Sequence, residues 1–231
     1  MKKPVFICIG LFFAVFCHGQ SNFSRGEELF LQNKPGEAVV FLENALVDNP
    51  ANITACLYLG IAYEQMQKAD EAIAVYRRGL PNAGNHSANI ANNLGNVYFQ
   101  KGDMESAEQF YSQAIGFDAV YSRAYLGRAN TRIKAGNLRT AVTDYEQYLA
   151  LQPRSDQRGQ IEQLVAIIRA EFAAEERKRL LAEEEERRLA EERKKLLDSV
   201  SASLQSAADA SQGISSGAES VENYDGEFEL H

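Results

Sequence analysis

"LGNVYFQKGDMESAEQFYSQA", residues 94–114, holds no histidine, no cysteine and no run of glycines, yet its small and aromatic residues recur through the 231-residue chain. Ala107 of this stretch has counterparts in Ala38, Ala72 and Ala141, at steps of 34, 35 and 34 residues. A period this regular marks stacked structural repeats. Twelve residues before each alanine stands another small residue, Gly26, Gly60, Gly95 or Ala129, and four residues after it stands Leu42, Tyr76, Tyr111 or Tyr145. A small residue at a fixed place lets two helices approach closely, and a large one on the facing helix fills the gap beside it.

Each unit therefore reads as two amphipathic helices joined by a tight turn. In the third and fourth units the turn holds Gly102–Asp103 and Gly136–Asn137. Glycine suits the left-handed residue that ends one helix, and Asp or Asn suits the cap that starts the next. Pro50 and Pro153 close the first and fourth units, and "PNAGN" (81–85) carries the one inserted residue.

The pattern resembles the tetratricopeptide repeat (TPR) family over 20–153. It is carried by Leu59, Gly60 and Tyr63 with Ala72 and Tyr76, then by Leu94, Gly95 and Tyr98 with Ala107, Tyr111 and Ala114. Departures are Gly79 where a helix-forming alanine is usual, Tyr148 at the equivalent place in the fourth unit, and Arg132 where an aromatic is usual. The expected fold is all-α: a helix-turn-helix solenoid of about four units (20–52, 53–87, 88–121, 122–155), the alternative being an irregular helical bundle that echoes itself. The end of such an array needs a cap. Ile161, Leu164, Val165, Ile168 and Phe172 supply one at helical spacing. The leading helix, with Phe23 and Phe30, is expected to fray or to dock on something else.

From Ala174 the period changes to eight: "AEERKRLL", "AEEEERRL", "AEERKKLL". Glu175–Arg179, Glu183–Arg187, Glu184–Arg188 and Glu191–Lys195 fall at the favourable i, i+4 spacing, so a charged helix is expected to run on from the cap across 156–197. An eight-residue repeat moves its leucines by about 80° per block, against the straight seam of a coiled coil. A solitary spacer is the leading reading. A short coiled-coil dimer through Leu180, Leu181, Leu189, Leu196 and Leu197, making the chain a homo-oligomer, and an amphipathic membrane helix are the alternatives. Residues 198–231 read as a disordered acidic tail, poor in apolar residues, with Tyr224, Phe228 and Leu230 as a candidate docking motif beside the reading of a merely solubilising end.

The formal charge is −8, unevenly spread: residues 20–153 carry 11 basic and 14 acidic groups, 154–197 carry 11 and 11, and 198–231 carry none and seven. Without clustered Lys and Arg, nucleic acid is disfavoured as a partner. Lys2 and Lys3 precede an apolar stretch from Val5 to Cys17, too short to span a bilayer, so 1–19 reads as a cleaved signal peptide ending before Gln20. The expected place is the bacterial periplasm or envelope, with no membrane span after cleavage. Acylation of Cys17, a lipoprotein, is the competing reading, against which stands the lack of a small residue before it. Cleavage leaves Cys56 alone and His86 and His231 as the only histidines. No HExxH, CxxC or P-loop pattern occurs, and a non-enzyme without cofactor or metal is expected.

The family's inward positions map onto Thr54, Leu57 and Ile61, then Asn89, Asn92 and Asn96, then Arg123, Leu126, Asn130 and Lys134. The resemblance implies a protein or peptide partner in this groove. Side-chain amides both donate and accept, so an asparagine row suits an extended backbone. Asparagine is common in the family at the places of Asn93, Asn96 and Asn130, whereas Asn89, Asn92 and Arg123 go beyond it. The basic residue and asparagine of the family's chaperone-tail clamp are replaced here by Leu57 and Ile61. The function expected is an envelope scaffold, with a structural oligomer or an accessory subunit of an envelope enzyme as alternatives.

Overall fold

The computed structural model describes residues 21–219, with side chains over 21–211. It divides into two compact units, Met1–Val165 and Ala166–His231. In the first, helices follow one another as α1 (Asn22–Leu31), α2 (Pro35–Asp48), α3 (Ile53–Gln65), α4 (Ala69–Gly79), α5 (Ser87–Lys101), α6 (Met104–Phe117), α7 (Ser122–Lys134) and α8 (Leu138–Leu151), and α9 (Arg158–Glu219) begins there. From α1 to α8 each helix packs on the next, and α1 also meets α3 as α5 meets α7. This is the contact pattern of stacked helical hairpins.

The small-and-large rule accounts for the packing. A Cβ built on Gly26 meets the Leu42 side chain at 2.8 Å, and one on Gly95 meets the Tyr111 ring at 2.7 Å; on Gly60 it runs into the Tyr76 ring. Leu42, Tyr76 and Tyr111 are buried, as are Ala38, Ala72, Ala107 and Ala141. Gly79, a departure from the family, has its own cause: a Cβ there runs into the Cys56 sulfur. Burial pushes the Cys56 thiol up to about 11.

Each hairpin turn contains one residue with positive φ: Asn33 (58°), Gln67 (60°), Gly102 (82°) and Gly136 (80°). Asp103 caps α6 by accepting from the Ser106 N–H at 3.0 Å, as the turn chemistry predicts. Asn137 differs, since its side chain makes no capping bond and its carbonyl accepts from Thr140 instead. The inserted residue between the second and third units is absorbed by two short 3-10 turns, Leu80–Asn82 and Gly84–His86.

Two expectations need correction. The leading helix does not fray: Phe23 and Phe30 pack against the core, and the Phe30 and Tyr58 rings stack at 4.8 Å. The charged helix does not stop at Leu197 either, because α9 continues to Glu219. Residues 198–212 contain alanine, serine, glutamine and leucine with no proline or glycine to end the helix. The ion pairs on α9 also shift register. Arg179 bonds Glu176 at 2.6 Å and reaches Glu183, and Arg188 bonds Glu185 at 2.7 Å and reaches Glu192. All are exposed, so each is worth only about 0.3–0.5 kcal/mol. Of the cap residues in the first unit, Ile161 and Val165 are buried. No described helix is long and apolar enough to cross a membrane. Tyr224, Phe228 and Leu230 lie outside the described residues, as do 1–20.

Candidate peptide-binding cleft

Tyr111 builds the site from below. Its ring is wedged between Gly95 of α5 and Gly127 of α7, where an added Cβ would run into it from either side. Gly127, which sequence reasoning passed over because it lies outside the repeat frame, thus opens the gap between the two helices. Above the tyrosine lies a cleft of about 390 Å³ lined by Asn92, Asn96, Phe99, Arg123, Leu126 and Asn130, among others.

The structure brings together five of the inward positions mapped from the sequence: Asn92 and Asn96 on α5, Arg123, Leu126 and Asn130 on α7. Asn89 is half-buried on α5 and does not line the cleft. Lys134 is at its edge, with Nζ 4.4 Å from the centre of the Phe99 ring.

Two of the asparagines are committed on one side. Tyr111 donates to Asn96 Oδ1 at 2.8 Å and Tyr145 to Asn130 Oδ1 at 2.7 Å. Burial, reinforced by the Glu64 charge, pushes the Tyr111 phenol up, and burial does the same to Tyr145, so both hydroxyls stay protonated and able to donate. The Asn96 and Asn130 amide NH₂ groups are then the parts available to a ligand carbonyl.

Asn92 is different. It is 4% exposed, and its Oδ1 is buried with no hydrogen-bond partner. Such an atom forfeits about 1–3 kcal/mol of solvation without return. The repeat sharpens the anomaly, because one period to either side the same position holds Leu57 and Leu126. Asn92 is thus a polar side chain at a place that the neighbouring repeats fill with leucine, with its acceptor unused beside an open cleft.

Arg123 is exposed at the mouth, and its guanidinium bonds the Tyr121 hydroxyl, whose pKa burial nevertheless raises. Sequence reasoning missed the support behind α7. Asp144 of α8, 2% exposed, accepts from Arg128 Nε and Nη2 at 2.9 and 2.7 Å and from Arg132 Nη1 at 2.7 Å. Arg132 also bonds Glu108 of α6, and Arg128 bonds Ser112 Oγ. This network ties α6, α7 and α8 together directly behind the cleft wall.

Among the described residues no group of His, Cys, Asp and Glu is placed to hold a metal ion. The cleft's chemistry is that of hydrogen bonding, one exposed cation and an apolar floor.

A family model described as tetratricopeptide repeat matches residues 53–119. FlbA of Caulobacter vibrioides is 27% identical over 129 residues, 56% of this chain and 22% of that protein. RNA polymerase II-associated protein 3 of Xenopus laevis is 34% identical over 92 residues, 40% of this chain and 14% of that protein. The chain thus spans less than a quarter of the length of either relative. A crystal structure of MamA protein superposes with a TM-score of 0.57 at 20% identity, over 64% of this chain and 78% of that one. Residues 53–119 therefore match the tetratricopeptide repeat family, and the fold around them is an all-helical array of helix-turn-helix repeats of that type.

Proposed function

We propose that this chain is a non-catalytic interaction scaffold that holds an extended peptide or protein segment in the cleft between α5 and α7. The observation that carries this reading is Asn92, whose buried Oδ1 has no partner although leucine fills the equivalent place on both sides. An extended backbone offers N–H and C=O groups in alternation. Asn92 Oδ1 takes the first kind, and the Asn96 and Asn130 amides take the second. Stacked helical repeats generally expose binding surfaces of this sort. Residues 1–19 direct the chain to the bacterial envelope in this reading, the Cys17 lipoprotein being the variant, and the charged part of α9 acts as a spacer.

The test is a pull-down from an envelope fraction, followed by affinity measurement on the partner recovered. Asn92→Ala with Arg123→Glu should weaken it at least about tenfold, which needs only about 1.4 kcal/mol. A chain ending at Leu197 should bind as well as the full one. If truncation abolishes binding while the double variant leaves it intact, the cleft is not the site.

A second reading, self-association through α9, has one observation in its favour. Leu189, Leu196, Val200 and Leu204 are spaced by seven, four and four residues and are 52, 65, 48 and 67% exposed. At 100° per residue they share one side of the helix. Sedimentation across a concentration series decides it: a dimer mass lost in Leu196→Glu supports the oligomer, and a monomer throughout removes it.

A further inference from the structure

We infer that the cleft selects an acidic side chain within an extended segment of another protein, with an apolar side chain two residues away from it. The inference rests on reading the cleft as a peptide groove and names the chemistry of what that groove takes.

The cleft is rich in donors and carries positive charge. Tyr111 and Tyr145 occupy Oδ1 of Asn96 and Asn130, which leaves both amide NH₂ groups as the parts available to a ligand. Arg123 lines the same cleft and is exposed, and the Tyr121 hydroxyl engages only part of a guanidinium that carries five N–H groups. Arg123 also stands in the first turn of α7, where the helix field has the same sign. Lys134 adds a second exposed cation at the edge, over the Phe99 ring. Among the described residues that line the cleft none is acidic. Glu64, the acid whose field reaches Tyr111, lies outside this lining and accepts from the Tyr76 hydroxyl at 2.6 Å.

A small anion would use the donors and leave the rest idle. Phe99 and Leu126 line the cleft beside Arg123, and the buried Asn92 Oδ1 lacks a donor. A carboxylate carried on an extended peptide supplies every missing part. Side chains two apart in such a chain face the same way, so one turned to Arg123 and one turned to Leu126 and Phe99 are separated by a single residue that faces out. Backbone carbonyls meet the Asn96 and Asn130 amides, and the carboxylate gains charge assistance and two-pronged geometry at the guanidinium. Leu57 and Ile61 stand on α3 where a clamp for a chain end would need a base and an amide, so the acid is a side chain of a segment that passes through.

The probe is a library of short random peptides, each displayed inside a longer chain, selected on the full protein. Selected sequences should carry Asp or Glu two residues from Leu, Ile or Phe. A labelled synthetic copy with an amidated end should bind in fluorescence anisotropy and weaken at least about tenfold on Arg123→Glu, and Lys in place of its acid should restore binding to that variant. Selected peptides without an acid, binding indifferent to Arg123→Glu, or binding only when the copy ends in a free carboxylate overturn the inference. If binding depends on Asn96→Ala and Asn130→Ala while Arg123→Glu is silent, the peptide groove stands and only the acid requirement falls. If no peptide is selected, or none responds to any of the three changes, both fall.

Discussion

The third and fourth repeats are built on one frame and filled by opposite chemistry. In the third, Tyr98 and Phe110 stack at 5.3 Å, with the Arg77 guanidinium over both rings. Thirty-four residues on, the same two positions hold Arg132 and Asp144, joined by a 2.7 Å ion pair. Buried Leu94 of the third repeat is likewise matched by Arg128, which bonds Asp144 twice. An aromatic pair and an ion pair thus close the same hairpin. They differ in how they fail, since losing one ring leaves a hole while losing Asp144 leaves a half-buried Arg128 charge without its carboxylate.

The largest effect is therefore expected at Asp144. Asp144→Ala leaves Arg128 without a carboxylate and Arg132 with Glu108 alone, and should lower the unfolding free energy by about 3–5 kcal/mol, read by denaturant titration. Copying the third repeat into the fourth, with Arg128→Leu, Arg132→Tyr and Asp144→Phe together, should be neutral or stabilising, since apolar replacements of whole buried ion networks commonly gain about 1–4 kcal/mol. A triple variant as damaged as Asp144→Ala would show that the two repeats are not interchangeable at these positions.

A smaller effect separates the frames at the close approach. Gly95→Val drives branched carbons into the Tyr111 ring and should cost about 3 kcal/mol. Its counterpart Ala129 already tolerates a Cβ, and Ala129→Gly should cost only about 0.5–1 kcal/mol in the same titration. Gly102→Ala comes next, at about 1 kcal/mol, because the position is open and only its positive φ resists a side chain. At the small end, Arg179→Ala removes two exposed pairs on α9 and should change stability by less than about 0.5 kcal/mol, and less still in high salt.

Legibility in the sequence followed the range of the interactions. The frame was readable because a small residue and a large one sixteen residues apart, as at Gly60 and Tyr76, recur in every unit and impose each other. The inward positions Asn92, Asn96, Arg123 and Asn130 were mapped from the resemblance to the repeat family, not from the period alone. What failed to show was satisfaction. Whether Asn92 Oδ1 finds a donor depends on which side chains surround it in space, and no periodicity reports that. Arg132 stood out as a departure, while its compensation by Asp144 did not. The signal was present, since opposite charges stand twelve residues apart at places that hold Tyr98 and Phe110 one period earlier. The extent of α9 was misread because low apolar content argues against a core but not against a helix, and neither proline nor glycine stands in 198–212.

The central claim is that Asn92 is kept polar for a ligand at a cost to the free protein, and one substitution tests it without knowledge of that ligand. Asn92→Leu installs the residue found at the equivalent positions 57 and 126. With the unpaired acceptor gone, denaturant titration should show the variant more stable than the natural chain by about 1–2 kcal/mol. A variant that is equally stable or less stable would mean that Asn92 is already satisfied in the free protein, and the case for the cleft as the binding site would lose its foundation.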